Sequence, residues 1–100
     1  MKASFTISNT DRGVILIIGG ELNVQTSRLF KDHLDGLTAR DLPVQLSLQD
    51  VSGMDVSAIQ IIYLFRKKHE AEGAVVEVIL PSSESLITLL NTTGLLKLLM

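Results

Sequence analysis

Apolar and polar positions follow two different periods along the chain, and each change of period marks a predicted strand or helix. Apolar residues that alternate with polar ones, or run on without a break, predict strands at residues 4–8, 14–18, 42–48 and 75–80. Apolar residues spaced three or four apart predict a first helix from Asn23 to about Gly36 and two more at residues 57–72 and 83–90. The last apolar segment, residues 95–100, is predicted to be either helical or extended.

The order of these elements predicts an α/β fold. The first two strands form a hairpin across a polar turn at residues 9–13. The later strands are separated by helices and should therefore pair in parallel. We expect a mixed four-stranded sheet with helices mainly on one face, in the order β-β-α-β-α-β-α, and a single domain over residues 1–100. Gly19 and Gly20 are predicted to break or bend the second strand.

One stretch, residues 46–60, organises the rest of the chain, because it runs from an alternating strand through a polar turn into the strongest predicted helix. Asp55 and Ser57 fall at this turn, where a helix start carries unpaired N–H groups and a partial positive charge. Ser57 and Gln60 fit the S-x-x-Q capping box, and Asp55 is an alternative cap. Ser57 can instead be an exposed hydroxyl that carries a phosphate. The pattern alone favours the cap, and both interpretations stay open.

The helix that follows Ser57 is more apolar than a single buried face requires. Ile59 and Tyr63 lie to one side of the predicted core stripe, where they form either a wider buried face or a surface for a partner. Residues 66–70 are predicted to be the solvated end of the helix. The predicted core stripe consists of Ala58, Ile61, Ile62 and Phe65. The predicted partner-binding residues are Met54, Asp55, Val56, Ser57, Ile59, Gln60 and Tyr63.

Composition narrows the class of function. Hydrophobic residues make up 46% of the chain, which is enough apolar material for one core. The net charge of −2 offers no basic surplus for binding nucleic acid, and the lack of cysteine excludes disulfides and thiolate zinc sites. The first residues lack the apolar run of a signal peptide, and no apolar segment is long enough to span a bilayer. We therefore expect a cytoplasmic protein that does not insert into membranes.

The sequence contains no recognisable catalytic or metal-binding pattern. His33 and His69 stand alone, outside the H-E-x-x-H spacing of zinc sites. No G-x-S-x-G motif marks any serine as a nucleophile. The sequence therefore predicts no catalytic residues, no metal and no cofactor, and an enzyme is the function it supports least.

Residues 54–59, with the sequence M-D-V-S-A-I, resemble the signature of STAS domains, which are the anti-sigma factor antagonists and their relatives. Asp55 matches the aspartate of that signature and Ser57 matches its phosphorylated serine. Two positions depart from the family pattern, because Val56 stands where serine or threonine is usual and Ala58 where glycine is usual. Two more stretches resemble family motifs, so that the resemblance extends over nearly the whole chain: residues 19–23 (GGELN) and 91–95 (NTTGL).

The resemblance implies a non-catalytic interaction module with a protein partner. The unphosphorylated protein would bind a serine-kinase anti-sigma factor, phosphorylation of Ser57 would end binding, and a phosphatase would restore it. The ATP would belong to the partner. The departures at Val56 and Ala58 favour an alternative, a STAS subunit that is not phosphorylated and that regulates a transport ATPase or a chemotaxis-type signalling complex.

Overall fold

The computed structural model describes residues 3–37 and 43–100, which form four strands, three α-helices and one short 3₁₀ segment. The strands are β1 (Ser4–Thr10), β2 (Gly13–Leu22), β3 (Val44–Met54) and β4 (Val76–Ile79). The helices are α1 (Val24–Asp35), α2 (Val56–Ala71) and α3 (Glu84–Thr92), and a 3₁₀ turn at Leu95–Leu98 follows them. The predicted element order is confirmed, and Leu42, the predicted first residue of the third strand, lies outside the described residues.

The strands form one mixed sheet in the order β1-β2-β3-β4. The hairpin of β1 and β2 is antiparallel, with Ile7 opposite Leu16. Both later pairs are parallel, with Leu16 opposite Leu46 and Leu46 opposite Val78. This arrangement confirms the predicted mixed sheet with its antiparallel edge strand, and the helices lie mainly on one face of it.

The core is the layer between that face of the sheet and the helices. Alternate residues of the two central strands face it, and α1 and α2 contribute their largest apolar side chains. Burying such side chains stabilises the fold by about 1.5–3 kcal/mol each. The largest side chains that are fully buried include Leu16, Ile18, Phe30, Leu34, Leu46, Leu48, Ile59 and Ile62.

The second strand bends at its two glycines but does not break. It continues to Leu22 through two irregularities, because Ile17 pairs with Ser47, Gly19 with Asp50, and Glu21 with Gly53. Each irregularity inserts one extra residue of β3 opposite β2, as a β-bulge does. A side chain at Gly19 would place its Cβ 2.9 Å from Oγ of Ser4 and 3.4 Å from Cβ of Asp50, so these neighbouring side chains would have to move.

The third strand is longer than its alternation suggests. The polar turn predicted after Leu48 is wrong, because β3 continues to Met54 and only Asp55 separates it from α2. The end of β3 pairs with the end of β2, so that backbone pairing outweighs the polar character of these residues.

Helix α2 also differs from its prediction in which residues it buries. Ile59 is fully buried and Ile61 is only partly buried, so the core stripe lies further round the helix than predicted. His69, predicted to be solvated, is 7% exposed; its ring packs 4.0 Å from that of Phe65, and its Nδ1 lies 3.0 Å from the Phe65 carbonyl oxygen. The buried face of α2 therefore extends one turn beyond Phe65, to His69.

Candidate functional site

The candidate site lies at the carboxyl ends of the parallel strands β2 and β3, where the helices α1 and α2 begin. Strands β2 and β3 end in register, with Leu22 opposite Met54, and α1 and α2 begin two residues later. The Asp55 N–H donates to the carbonyl oxygen of Leu22 at 3.0 Å, which fixes the start of α2 against the end of β2. In open α/β sheets, ligands commonly bind outside the carboxyl ends of the strands.

Asp55 is the N-cap of α2. Its backbone is extended, with φ −110° and ψ −179°, and its Oδ1 accepts a hydrogen bond from the N–H of Ala58 at 3.2 Å. Ser57 is therefore the second residue of the helix, and the capping box predicted for Ser57 and Gln60 is wrong. Asp55 lies two residues before Ser57, directly after the end of β3. Its carboxylate oxygen, not the Ser57 hydroxyl, therefore reaches a free N–H group at the start of the helix.

The hydroxyl of Ser57 is bound to the same carboxylate. Its Oγ donates to Oδ1 of Asp55 at 2.5 Å, and the side chain is partly buried. A similar pair opens α3, where Ser83 caps the helix and its Oγ lies 3.1 Å from Oγ of Ser85, also the second helical residue. The α3 pair is neutral and Ser85 is exposed, whereas the α2 pair contains a charge.

The pKa of the Asp55 carboxyl lies below its ordinary value. Partial burial acts in the opposite direction and raises the pKa, but the hydrogen bond from Ser57 lowers it, with further lowering by the N–H groups of Ala58, Val24 and Ser57. Val24 is the first residue of α1, so the carboxylate is influenced by the starts of both helices. The carboxylate is therefore stabilised as an anion where the positive ends of two helix dipoles favour it.

Three of the predicted partner-binding residues form an exposed stripe on α2. Val56, Gln60 and Tyr63 follow one another at i, i+4 and i+7, and all three are exposed, Val56 by 50%. The stripe continues to Lys67, whose Nζ lies 5.4 Å from the centre of the Tyr63 ring. Ser57 borders this stripe at its beginning.

The other predicted contacts are placed differently. Ile59 is fully buried in the core, so its side chain is not available to a partner and that assignment is wrong. Met54 is partly buried and packs against the core from the end of β3. Asp55 is partly buried at the start of α2, where its carboxylate accepts a hydrogen bond from Ser57.

Sequence reasoning missed Val24. This residue is 73% exposed at the first position of α1, directly after the cap residue Asn23, just as Val56 follows Asp55. A local sequence pattern does not indicate this exposure, because it depends on how α1 is rotated against the sheet. Val24 and Val56 extend the exposed apolar surface across the starts of both helices.

Within residues 3–37 and 43–100, the His, Asp and Glu side chains form no cluster of three or more that could hold a metal ion. No helix of the described ranges is both long and apolar enough to cross a membrane.

The model of the STAS domain family matches residues 4–99 of the chain. The chain belongs to the STAS domain family. This result confirms the resemblance of residues 19–23, 54–59 and 91–95, which all fall inside the match. No curated protein matches the chain.

Several solved structures share this fold. An anti-sigma factor antagonist from Mycobacterium paratuberculosis superposes with a TM-score of 0.80 and 16% identity, over 96% of this chain and 81% of that one. A proposed anti-sigma factor antagonist from Thermotoga maritima has a TM-score of 0.75 and 25% identity, over 93% and 80%. The protein Mglu matches with a TM-score of 0.66 and 24% identity over 75% of this chain, which spans only 20% of the length of Mglu.

Proposed function

We propose that this STAS domain is a non-catalytic anti-sigma factor antagonist that binds a serine-kinase anti-sigma factor and is switched by phosphorylation of Ser57. The observation that carries the proposal is the geometry of Ser57. Its hydroxyl lies in the first turn of α2, bound by the cap residue Asp55 and next to the 50% exposed Val56. The family membership and the antagonists that share the fold support the same role.

The hydrogen bond between Ser57 and Asp55 makes this serine sensitive to modification. A phosphorylated Oγ no longer has a proton to donate, and the added charge of about −1.5 to −2 lies next to the Asp55 carboxylate. The positive end of α2 partly offsets that repulsion, so the helix stays folded. Phosphorylation therefore changes the surface at the start of α2 without unfolding the domain.

The partner binds the exposed stripe of Val56, Gln60 and Tyr63, together with Val24. A phosphate at the border of this stripe would lose hydration in the contact without a fixed counter-charge, and this cost would speed dissociation. The partner supplies ATP and transfers its phosphate to Ser57, and a phosphatase reverses the transfer. The chain itself contributes the acceptor and the surface.

The first test identifies the modified residue. The protein is incubated with the serine-kinase anti-sigma factor encoded near it and ATP, and intact mass is measured. We expect one added phosphate on the parent and none on Ser57→Ala. Ser85→Ala is the matched control, because Ser85 occupies the same second position of α3, and it should be modified like the parent. Phosphate that persists in Ser57→Ala would refute the assignment and point to Ser52, Ser82 or Ser83.

The second test measures binding to the same partner. Ser57→Asp should weaken binding by about tenfold or more with an unchanged circular dichroism spectrum, whereas Ser57→Ala should bind as well as the parent. Ser85→Asp, which adds the same charge to the start of α3, should bind normally. If no phosphate forms and the protein instead binds a transport ATPase subunit tightly, the alternative role as an unphosphorylated regulatory subunit replaces this proposal.

A further inference from the structure

The two edges of the sheet differ in how well they are protected against pairing with another strand. Strand β4 is only four residues long, contains the exposed Glu77, and is followed two residues later by Pro81. Short length, an exposed charge and proline are the usual devices that prevent an edge strand from pairing. The β4 edge is therefore protected.

Strand β1 has none of these devices. It is seven residues long, with the sequence SFTISNT, and contains neither a charge nor a proline. Within the described part of the chain it pairs with β2 alone. The bulges of the sheet lie between β2 and β3, and the pairing of β1 with β2 runs without a register shift. The outer edge of β1 is therefore a long and regular row of backbone groups.

The hairpin turn defines which backbone groups face outward. Two residues connect Thr10 to Gly13, so these two form the hydrogen-bonded pair that closes a two-residue turn. Hydrogen-bonded pairs alternate with non-bonded pairs along an antiparallel ladder. The N–H and C=O groups that point away from β2 are therefore those of Phe5, Ile7 and Asn9.

We propose that the β1 edge pairs with the β1 edge of a second copy of this chain, antiparallel about a two-fold axis through Ile7. This register places Ile7 opposite Ile7 of the second copy, Phe5 opposite Asn9, and Thr6 opposite Ser8. It satisfies all the outward-facing groups, with about six backbone hydrogen bonds across the two-fold axis. The two sheets join into one continuous sheet.

The side chains of β1 suit a second copy of itself. Because the strand is uncharged, no like charges face each other across the two-fold axis, whereas a self-paired strand with one central charge would repel its copy. Ile7 lies on the core side of the sheet, opposite Leu16, yet it is 44% exposed because no strand covers it. In the dimer each Ile7 covers the other, and Thr6 and Ser8 form polar cross-strand pairs on the opposite face.

The proposed phosphorylation site, Ser57, is separated from this interface. Strand β2 separates β1 from β3, and the start of α2 follows β3. A change in partner binding at Ser57 and a change in self-association at β1 are therefore separate measurements.

The first test uses sedimentation velocity over a range of protein concentrations up to about one millimolar. We expect reversible association to a dimer in the parent, and a dissociation constant at least tenfold weaker in Ile7→Lys, because two lysines would face each other on the axis. The matched control is Ile17→Lys. Ile17 is similarly exposed, at 38%, but belongs to the central strand β2, so its variant should dimerise like the parent.

Thermal unfolding of both lysine variants verifies that each is folded at the temperature of the measurement. A parent that stays monomeric at the highest concentration would overturn the proposal. So would a dimer that Ile7→Lys leaves intact, or a β1 edge that pairs only with a strand of a different protein.

Backbone amide exchange provides a readout that does not depend on any variant. The amides of Thr6 and Ser8 bond to β2 and should be protected at all concentrations. The amides of Phe5, Ile7 and Asn9 should become protected only at concentrations where the dimer forms. Fast exchange of these three amides in the dimer would show that another surface mediates association.

Discussion

The starts of α1 and α2 look alike, but their free N–H groups are capped in different ways. Both helices follow the carboxyl end of a parallel strand, both have an extended cap residue, and both begin with an exposed valine. Asn23 closes α1 with its own helix: its Oδ1 accepts from the N–H of Thr26 at 3.2 Å, and its N–H donates to Oγ1 of Thr26 at 2.9 Å. This reciprocal capping box is neutral, and the Thr26 hydroxyl also donates to the carbonyl oxygen of Glu21 in β2 at 3.0 Å.

The start of α2 has no reciprocal capping box. The residue that could complete a capping box with Asp55 is Ala58, which has no polar side chain, so the Asp55 N–H donates to Leu22 of β2 instead. Oδ1 of Asp55, which accepts from the N–H of Ala58, also accepts from the Ser57 hydroxyl. The cap of α2 is therefore a charged carboxylate bound to the hydroxyl of Ser57, whereas the cap of α1 is a neutral amide.

Removing the cap of α2 should have the largest effect on stability. Asp55→Ala should lower the free energy of unfolding by about 2 kcal/mol, the upper end of the capping range, because Ala58 loses its acceptor and Ser57 loses its partner. Urea denaturation measures this change. Asp55→Asn is the control, since its amide oxygen can still accept from Ala58, and it should cost less. A loss for Asp55→Ala below that of the α1 cap would contradict the comparison.

Removing the cap of α1 should cost less, about 1 kcal/mol. In Asn23→Ala the N–H groups of Gln25 and Thr26 lose their acceptor, but the backbone N–H of residue 23 can still donate to Thr26. The same denaturation series measures it. A loss for Asn23→Ala as large as that for Asp55→Ala would contradict this order of the two effects.

The pH dependence of stability should distinguish the two caps. The folded-state pKa of Asp55 is lowered, so its contribution to stability is present above the unfolded-state pKa of about 3.9 and is lost as the pH falls through the folded-state value. A protonated carboxyl can still accept from Ala58, so this loss is smaller than that of removing the cap. Unfolding free energies measured from pH 6 to pH 2 should fall less steeply for Asp55→Asn than for the parent. Asn23→Asp should add an acid-sensitive contribution at α1, and unchanged slopes in both variants would refute the assignment.

The smallest effect should come from Ser57 itself. Because Ser57 is the second helical residue and not the cap, Ser57→Ala should cost only about 0.5 kcal/mol. It should also raise the pKa of Asp55, because the hydroxyl donor is lost. An NMR titration of the Asp55 carboxyl carbon measures that pKa, and Ser85→Ala is the control that should leave it unchanged. A pKa that does not move would mean that the hydroxyl does not bind the carboxylate in solution.

The periods of the sequence predicted the strands and helices because each element has a regular buried face. These periods failed to predict the structure where pairing between the backbones of neighbouring strands determines it. The residues after Leu48 are polar, and only the neighbouring strand β2 makes them part of β3. The motif predicted a candidate site at Asp55 and Ser57, but a sequence pattern could not decide which of them caps the helix, since both have a suitable oxygen. The burial of Ile59 and the exposure of Val24 depend on how far α2 and α1 rotate against the sheet, which no local pattern specifies.

The two bulges between β2 and β3 constrain how this domain can gain or lose residues during evolution. Each bulge places one extra residue of β3 opposite β2, between Ser47 and Asp50 and between Val51 and Gly53. Deleting one residue inside a bulge would restore regular pairing and leave the later residues of β3 opposite their present partners, whereas a deletion in the regular segment before Ser47 would turn every later side chain to the opposite face. Single-residue changes in the length of β3 are therefore expected at the bulges.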